Sequence, residues 1–278
     1  MAKSTKQHSL AAIPGTLVLV GAGKMGGAML QGWLAGKLPP RKVAVLEPQP
    51  SKAIKALARR GVRINPKGPI DKVAALVIAV KPQSAPEVLP PLAPWIGAKT
   101  VVVSIMAGRT LGFLEAALPG AAVVRAMPNT PAAIGRGITV AVGNRRVGAA
   151  ARKLAGALLA ATGTVEWVSD EALMDAVTAV SGSGPAYVLL LAEAMAQAGV
   201  AAGLPRALAE KLARETVAGS GELLHRLAEP AATLRQNVTS PGGTTAAALE
   251  VLMGRDGIEP LMTRAVAAAT RRGRELAG

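Results

Sequence analysis

The stretch TLVLVGAGKMGGAML, residues 16–30, joins an apolar run to a helical pattern through a glycine-rich turn. TLVLV is typical of a short buried strand, whereas Met25, Met29 and Trp33 recur every four residues, as on one face of a helix. Between the two, residues 21–26 fit the pattern G-x-G-x-x-G. A strand that passes through this pattern into a helix predicts the first unit of a dinucleotide-binding domain.

The three glycines of this turn have different roles in the expected fold. The first allows a tight turn, the second lets the backbone approach the pyrophosphate, and the third lets helix and strand pack closely. The start of the helix adds free N–H groups and a partial positive charge. A purely structural turn is the alternative. The residues expected to bind the dinucleotide are Gly21, Ala22, Gly23, Lys24, Met25 and Gly26.

An acidic residue ends the second predicted strand, KVAVLE, residues 42–47. Glu47 follows the last glycine of the pattern by about 20 residues, the distance at which a carboxylate usually meets the adenosine ribose. A carboxylate there accepts hydrogen bonds from the ribose hydroxyls and repels a 2′-phosphate, which favours NADH. Ser51 and Lys52 could still hold a phosphate, and Glu47 could simply face solvent. The choice between NADPH and NADH therefore stays open.

Strands and helices alternate along the first part of the chain. The further predicted strands are 75–82, 100–108, 121–129, 137–143 and 164–168, and the predicted helices begin near residues 24, 52 and 148. The strand runs lack a polar–apolar alternation, as expected when both faces of a sheet are covered. This order predicts an α/β fold with a Rossmann-type, doubly wound parallel sheet.

The composition changes after about residue 168, and the rest of the chain reads as helical. We therefore predict a flexible tail over 1–13, a Rossmann domain over 14–168, and an all-α substrate and dimerisation domain over 169–278. The candidate helices are 169–180, 185–199, 205–227, 230–236, 244–253 and 258–275. Helix 185–199 is apolar nearly all round, so we expect it to be buried, with a second subunit as one possible cover.

The composition also excludes several functional classes. The 278 residues include no cysteine and two histidines, which leaves no thiol nucleophile and argues against a metal site or a His-based triad. The net charge is +15, yet basic residues occur at most in pairs and aromatic residues are scarce, so we expect no nucleic-acid partner. Since no secretory signal or long apolar run is visible, we expect a soluble cytoplasmic protein without a membrane partner.

Six motifs together point to one family. They are GAGKMGGAML (21–30), AVKPQ (79–83), VSIMAG (103–108), RAMPNTPAAIGRGIT (125–139), SGSGPAYV (181–188) and SPGGTT (240–245). On these residues the chain resembles the pyrroline-5-carboxylate reductases, from about residue 16 to residue 275. The resemblance implies reduction of 1-pyrroline-5-carboxylate to L-proline by a hydride from NADPH or NADH, the last step of proline biosynthesis.

The resemblance also implies a substrate site. The motif SPGGTT would bind the substrate carboxylate through Ser240, Gly242, Gly243 and Thr244, while the catalytic hydroxyl of Thr245 would bond the ring nitrogen. Ser181 in SGSGPAYV would face the same cleft. From spacing alone, a helix capped by Thr244 explains SPGGTT better, and SGSGP fits a domain linker equally well.

Three strand ends complete the expected coenzyme site. Ala79, Val80, Lys81 and Pro82 would pass the ribose and pyrophosphate, Ala107 and Gly108 would allow close backbone approach, and Asn129 would lie near the nicotinamide. A surface lysine and an Asx turn are the alternatives for Lys81 and Asn129. The chain departs from the family at two positions. Met106 replaces a smaller residue and could crowd the nicotinamide pocket, and Glu47 stands where many members carry a neutral or basic residue.

Two other functions fit parts of the sequence. A reductase of the 3-hydroxyisobutyrate dehydrogenase type needs a catalytic lysine early in its second domain, but no lysine lies between Ser169 and Glu210. A dinucleotide-sensing protein without activity would leave SPGGTT unexplained. The expected assembly is a homodimer through the helical domain, with a higher ring of dimers left open.

Overall fold

The computed structural model describes residues 10–277, and its centre is an eight-stranded sheet in the order β3-β2-β1-β4-β5-β6-β7-β8. The strands are β1 Thr16–Val20, β2 Val43–Leu46, β3 Arg63–Ile64, β4 Val73–Ile78, β5 Val101–Ser104, β6 Ala122–Met127, β7 Gly137–Gly143 and β8 Gly163–Trp167. The order 3-2-1-4-5-6 is that of a dinucleotide-binding fold. The predicted Rossmann-type α/β class is confirmed.

One strand pair departs from the predicted parallel sheet. β6 and β7 run antiparallel, and β8 is parallel to β7. The connection between β6 and β7 holds only the 3₁₀-helix Thr130–Ile134, too short for the crossover that a parallel pair requires. The strand β3 is a further addition, because its two residues are too few to give a periodic signal.

Eleven α-helices lie within the described residues. They are α1 Lys24–Ala35, α2 Lys52–Ala56, α3 Ala85–Val88, α4 Leu111–Ala117, α5 Ala149–Leu159, α6 Met174–Val177, α7 Gly184–Ala201, α8 Arg206–Arg226, α9 Ala231–Asn237, α10 Thr244–Leu252 and α11 Ile258–Ala277. The predicted helix 169–180 is instead a 3₁₀ turn, the short α6 and the π-helical turn Thr178–Gly182. Hydroxyls of Thr178 and Ser181 donate to carbonyls four residues back, which competes with regular helix geometry.

Alternate residues of β1 enter two cores on opposite faces of the sheet. Leu17 and Leu19 join one cluster with Trp33, whereas Val18 and Val20 join the other. This alternation is the pleat of a strand that is covered on both faces. Trp33 is fully buried, and its indole N–H donates to the carbonyl of Leu158 at 2.8 Å, which ties α1 to α5.

The described residues form two compact units, 10–182 together with 270–277, and 183–269. The units divide after the predicted boundary near residue 168, because the segment that follows this point packs into the first unit. Met174 is buried there. The domain assignment itself stays a prediction.

Leu10 and Ile13 belong to the core of the first unit, although the sequence placed them in a flexible tail. Leu10 and Ile13 are buried, and the Lys42 ammonium donates to the carbonyl of Ile13 at 2.6 Å. Both side chains join the core cluster that contains Trp33. The predicted tail over residues 1–9 lies outside the described residues.

In the helical unit, α7 and α8 form an antiparallel pair. They approach closely through small residues: a Cβ at Gly199 would lie 3.2 Å from that of Ala209. The expectation that helix 185–199 is buried is wrong within a single chain. No residue of α7 is buried, and Leu189 and Leu190 are 64% and 62% exposed. Within this unit α7 packs against α8, and many of its apolar side chains stay exposed.

The stretch Glu171–Ala201 is long and apolar enough to cross a membrane by length and composition. An apolar helix that packs against another protein chain has the same properties. The stretch is therefore weak support for a membrane span.

Candidate active site

The glycine turn has the geometry that a bound dinucleotide requires. Gly21 has φ +89°, and a Cβ on it would lie 2.7 Å from the carbonyl oxygen of Ala79. A Cβ on Gly26 would collide with the carbonyl oxygen of Gly21, so only glycine lets α1 lie this close to β1. By contrast, a Cβ on Gly23 would meet open space. The turn is thus closed where the protein packs on itself and open where a ligand would approach.

The start of α1 offers uncommitted donors. Gly23 is the N-cap, without a side chain to accept a hydrogen bond, and the first turn holds no acidic residue. The first N–H groups of the helix therefore keep both their donor capacity and the positive end of the helix dipole. Lys24, the first helical residue, is exposed and adds a positive charge. These features fit a pyrophosphate.

Glu47 is bound to the glycine turn. Its Oε2 accepts from the Ala22 N–H at 2.8 Å, and its Oε1 accepts from the Gln49 N–H at 3.1 Å. The side-chain amide of Asn65 makes two hydrogen bonds with the backbone of Glu47. Its oxygen accepts from the Glu47 N–H at 2.9 Å, and its nitrogen donates to the Glu47 carbonyl at 2.8 Å. The carboxylate is therefore fixed at the edge of the turn and does not simply face solvent.

A cavity of about 590 Å³ lies beside the turn, at the carboxyl ends of β1, β2 and β4. Its polar rim is formed by Gly21, Gly23, Glu47, Asn65, Lys81 and Ser84. Its apolar wall is formed by Val20, Leu46, Ala79, Val80, Val88, Leu92 and Trp95, together with Pro48 and Pro91. An apolar wall beside a carboxylate suits an adenosine, with the base against the wall and the ribose at Glu47.

A second cavity, of about 660 Å³, lies on the other side of Glu47 and includes Lys24, Gln49 and Ser51. Ser51 is the N-cap of α2, and its hydroxyl accepts from the Ile54 N–H at 3.3 Å. Lys52 is exposed and is not part of the lining of either cavity. Of the two residues that could hold a phosphate, Ser51 is thus engaged as a helix cap.

Arg109, which the sequence analysis did not identify, connects the segments that follow β4 and β5 through hydrogen bonds. Both Nε and Nη2 of Arg109 donate to the carbonyl of Pro82, at 3.0 and 2.8 Å. The same guanidinium lies over the Phe113 ring, 4.5 Å from its centroid. Arg109 therefore fixes the segment that contains Ala107 and Gly108 to the one that contains Lys81 and Pro82. Its partner is a backbone carbonyl distant in sequence, so no motif marks it.

Met106 lies in the core, and its effect on the nicotinamide pocket stays a prediction. The side chain is 2% exposed and packs in the core cluster that also contains Val20 and Leu92 of the cavity wall. Ala107 is exposed, and Gly108 adopts φ +72°. Within the same unit, a Cβ on Gly108 would lie 3.3 Å from the carbonyl oxygen of Leu276, near the end of α11.

Asn129 holds the loop between β6 and β7. Its Oδ1 accepts from the Ile138 N–H at 2.9 Å, nine residues on, so the side chain does not form the Asx turn considered above. Its position near the nicotinamide stays a prediction. The side chain of Ser181 donates to the carbonyl of Val177 at 3.0 Å within the π-helical turn. Its role in a substrate cleft also stays a prediction.

The motif SPGGTT forms the loop that starts α10. Gly242 has φ +69°, and Gly243, not Thr244, is the N-cap, with no side-chain cap. The alternative in which Thr244 caps the helix is therefore wrong. The N–H groups of Thr244 and Thr245 lie at the helix start, where no residue of the helix can accept from them. Together with the hydroxyls of Ser240, Thr244 and Thr245, they form a cluster of donors suited to a carboxylate.

The predicted coenzyme residues that line the two cavities beside Glu47 are Gly21, Ala22, Gly23, Lys24, Glu47, Ala79, Val80 and Lys81. Neither lining includes Met25, Gly26, Pro82, Ala107, Gly108 or Asn129. The SPGGTT loop belongs to the helical unit.

Comparisons with known proteins match both units. A family model for pyrroline-5-carboxylate reductase dimerisation matches residues 171–276, and one for NADP oxidoreductase, coenzyme F420-dependent, matches residues 16–108. A pyrroline-5-carboxylate reductase of Synechocystis sp. is 42% identical, over 94% of this chain and 97% of that protein.

Two solved structures extend the match to the fold. The pyrroline-5-carboxylate reductase of Coxiella burnetii has a TM-score of 0.88 at 31% identity, covering 95% of this chain and 99% of the other. The enzyme of Plasmodium falciparum, solved with NADP bound, has a TM-score of 0.78 at 28% identity, covering 96% and 99%.

Proposed function

The chain belongs to the pyrroline-5-carboxylate reductase family, and from that premise we propose which of its residues carry out the reaction. The enzyme reduces 1-pyrroline-5-carboxylate to L-proline with NADPH or NADH. The observation that carries this function is the match along nearly the whole length of a curated reductase. The glycine turn, whose open side faces a cavity with a carboxylate at its rim, supports the coenzyme class independently.

For the coenzyme we propose a site built on the first unit. The N–H groups at the start of α1 bind the pyrophosphate, with Lys24 beside it. Glu47 accepts from the adenosine ribose, and the apolar wall around Val80 contacts the base. Ala107, Gly108 and Asn129 lie toward the nicotinamide. When bound, the dinucleotide supplies the hydride that reduces the imine carbon.

For the substrate we propose the SPGGTT loop. The donors of Ser240, Gly242, Gly243 and Thr244 bind the carboxylate, which orients the ring. The hydroxyl of Thr245 bonds the ring nitrogen, to which the electron pair of the C=N bond moves as the carbon is reduced. An iminium that is already protonated in solution needs no strong acid from the protein, and this agrees with the scarcity of histidine. We propose Ser181 as a further substrate-binding residue.

The enzyme is a homo-oligomer, and we propose that its basic unit is a dimer formed through the helical unit. The exposed leucines of α7 and the match of residues 171–276 to a dimerisation model support this arrangement. We further propose that a partner subunit, and not lipid, covers α7 in a soluble cytoplasmic enzyme.

The function is tested by following the product. Purified protein with 1-pyrroline-5-carboxylate and either coenzyme should form L-proline in an amount equal to the coenzyme oxidised. The related dehydrogenase chemistry is the control: 3-hydroxyisobutyrate with NAD⁺ or NADP⁺ should give no reduction of coenzyme. Turnover of the hydroxy acid without formation of proline would refute the proposed function.

A further inference from the structure

We propose that Glu47 makes NADH the preferred coenzyme of this enzyme, and that Asn65 is the positioning residue that holds Glu47 in place. The inference rests on the proposed function, which leaves the coenzyme open. It concerns the discrimination between two dinucleotides that differ only in the 2′-phosphate of the adenosine ribose.

The first step concerns where the carboxylate lies. Both oxygens of Glu47 accept backbone N–H groups, from Ala22 at 2.8 Å and Gln49 at 3.1 Å. The side chain therefore cannot swing out of the site without losing both bonds. Each oxygen keeps lone-pair capacity for a further donor. A ribose at the rim of the cavity supplies such donors as its 2′- and 3′-hydroxyls, whereas a 2′-phosphate brings only negatively charged acceptors.

The second step concerns what fixes the carboxylate there. Asn65 makes a two-way pair with the backbone of Glu47, and its own N–H donates to the carbonyl of Val45 at 2.8 Å. It adopts φ +45°, a conformation in which asparagine is favoured among residues other than glycine. Asn65 thus fixes the end of β2, and through it the direction in which the Glu47 side chain leaves the strand.

The third step concerns the cations that could offset the repulsion. Among the described residues that line the two cavities, the cationic ones are Lys81 in the first and Lys24 in the second, and both are exposed. An exposed lysine is a mobile point charge, unlike the arginine fork that usually accommodates a 2′-phosphate. The net charge of +15 attracts both coenzymes from a distance, but salt screens that attraction beyond about 10 Å. The carboxylate of Glu47, at contact distance from the ribose, therefore determines which of the two coenzymes binds more tightly.

The test begins with binding, in the absence of substrate. Calorimetric titration of the full-length protein should give an NADH dissociation constant about ten- to hundredfold below that of NADPH, the range that one like-charge contact produces near a protein surface. Glu47→Gln keeps an oxygen that can accept from Ala22 and removes the charge. It should tighten NADPH binding and bring the two constants to within about threefold. Equal or tighter binding of NADPH by the wild type would overturn the proposal, as would an unchanged ratio in Glu47→Gln.

Two further variants separate charge from position. Asn65→Gly preserves the left-handed backbone and removes the side-chain amide. It should weaken NADH binding and so lower the ratio of the NADPH dissociation constant to the NADH dissociation constant. A wild-type ratio in Asn65→Gly would overturn the positioning role. Glu166→Gln, at an exposed position of β8, makes the same change in net charge and should keep the wild-type ratio. Thermal unfolding of each variant establishes that it is folded.

Two nucleotide fragments locate the discrimination at the ribose. In the wild type, 5′-AMP should displace NADH at lower concentration than adenosine 2′,5′-bisphosphate does, and Glu47→Gln should abolish this difference. The opposite order in the wild type would overturn the proposal. Turnover of 1-pyrroline-5-carboxylate with a preference for NADPH would refute this inference and leave the function standing. Tighter binding of NADH than of NADPH without any turnover would support this inference and refute the proposed function.

Discussion

Thr245 lies in the first turn of a helix whose N-cap is Gly243, so its hydroxyl is not the cap of that helix. In the proposed reaction this hydroxyl bonds the ring nitrogen. Thr245→Val keeps the shape and removes the bond, and kcat/KM for the imine should fall about ten- to hundredfold, as for loss of a hydrogen bond to a charged group. Thr245→Ser should restore most of it. Steady-state kinetics with an unchanged coenzyme dissociation constant checks this, and a wild-type kcat/KM in Thr245→Val would contradict the role.

Arg109 makes two hydrogen bonds to one carbonyl, which a lysine cannot reproduce. Arg109→Lys should therefore loosen the segment at Ala107 and Gly108, raising the coenzyme KM about three- to tenfold with a smaller change in kcat. Arg152→Lys is the matched control, because the Arg152 guanidinium also lies over an aromatic ring, 4.2 Å from the Trp167 centroid, in another part of the unit. Equal effects of the two substitutions on KM would count against a positioning role for Arg109.

The sequence predicts a site residue when local spacing determines its position, and misses one whose role depends on a contact distant in the chain. Glu47 is found from its spacing, because the distance from the glycine turn to the end of the next strand is set by the βα unit. Asn65 and Arg109 bind backbone groups 18 and 27 residues away. Such contacts depend on how loops meet in space, and no local pattern records them. The burial of Met106 is likewise not recorded by the local sequence, because it depends on which elements cover the strand end.

Two adjacent glycines of α1 test how closely this helix packs on the sheet. Gly26→Ala would drive its Cβ into the carbonyl of Gly21, whereas the Cβ of Gly27→Ala would lie 3.5 Å from the carbonyl oxygen of Ala22, an ordinary contact. Gly26→Ala should destabilise the fold by about 1–3 kcal/mol and weaken coenzyme binding. Gly27→Ala should be neutral or stabilising by up to about 1 kcal/mol. Urea unfolding checks both values, and equal stabilities would argue against the close contact.

A single ion pair connects three elements of the first unit. Arg125 of β6 donates to Glu171 at 2.7 Å, and the same carboxylate oxygen accepts from the N–H of Leu111, the first residue of α4, at 2.8 Å. The Arg125 side chain is 6% exposed. Glu171→Ala leaves that charge without its partner and should destabilise the fold by about 2–3 kcal/mol.

Glu166→Ala removes an exposed carboxylate and serves as the control, with an expected loss below about 0.5 kcal/mol. Denaturant unfolding measures both variants. If the free energy of unfolding falls no further in Glu171→Ala than in the control, the ion pair does not stabilise the fold.

Elements with strong periodicity are predictable from the sequence, and short or irregular ones are not. Seven of the strands follow from apolar runs between turns, but β3 is too short to give a run. The antiparallel direction of β7 depends on the length of a connection and not on the strand's own residues. The π-helical turn at Thr178–Gly182 arises from hydroxyls that bond within the helix, a competition that helix propensity does not describe.

For the whole molecule, the helical unit of one chain leaves its apolar surface open. Leu190 of α7 is 62% exposed, as are many large apolar residues of this unit to similar degrees. If a partner covers this surface, Leu190→Glu places a charge in the contact and should shift the protein toward a monomer of 28.0 kDa. Light scattering after size-exclusion chromatography measures the mass.

Ile134→Glu provides the control, because Ile134 is 78% exposed in the other unit and lies outside the proposed contact. Its mass should match that of the wild type. A wild-type mass for Leu190→Glu would contradict a dimer through α7. At this scale the sequence predicts the apolar helix but not its cover, because burial between subunits and burial within one chain leave the same pattern.

The most direct test of the central claim is the near-ultraviolet absorbance of reduced coenzyme as 1-pyrroline-5-carboxylate is added to purified, folded protein. The account predicts that absorbance falls only when protein, coenzyme and imine are all present, and that it falls with NADH as well as with NADPH. No decrease with either coenzyme, in protein shown by titration to bind a dinucleotide, would contradict the assignment as an imine reductase.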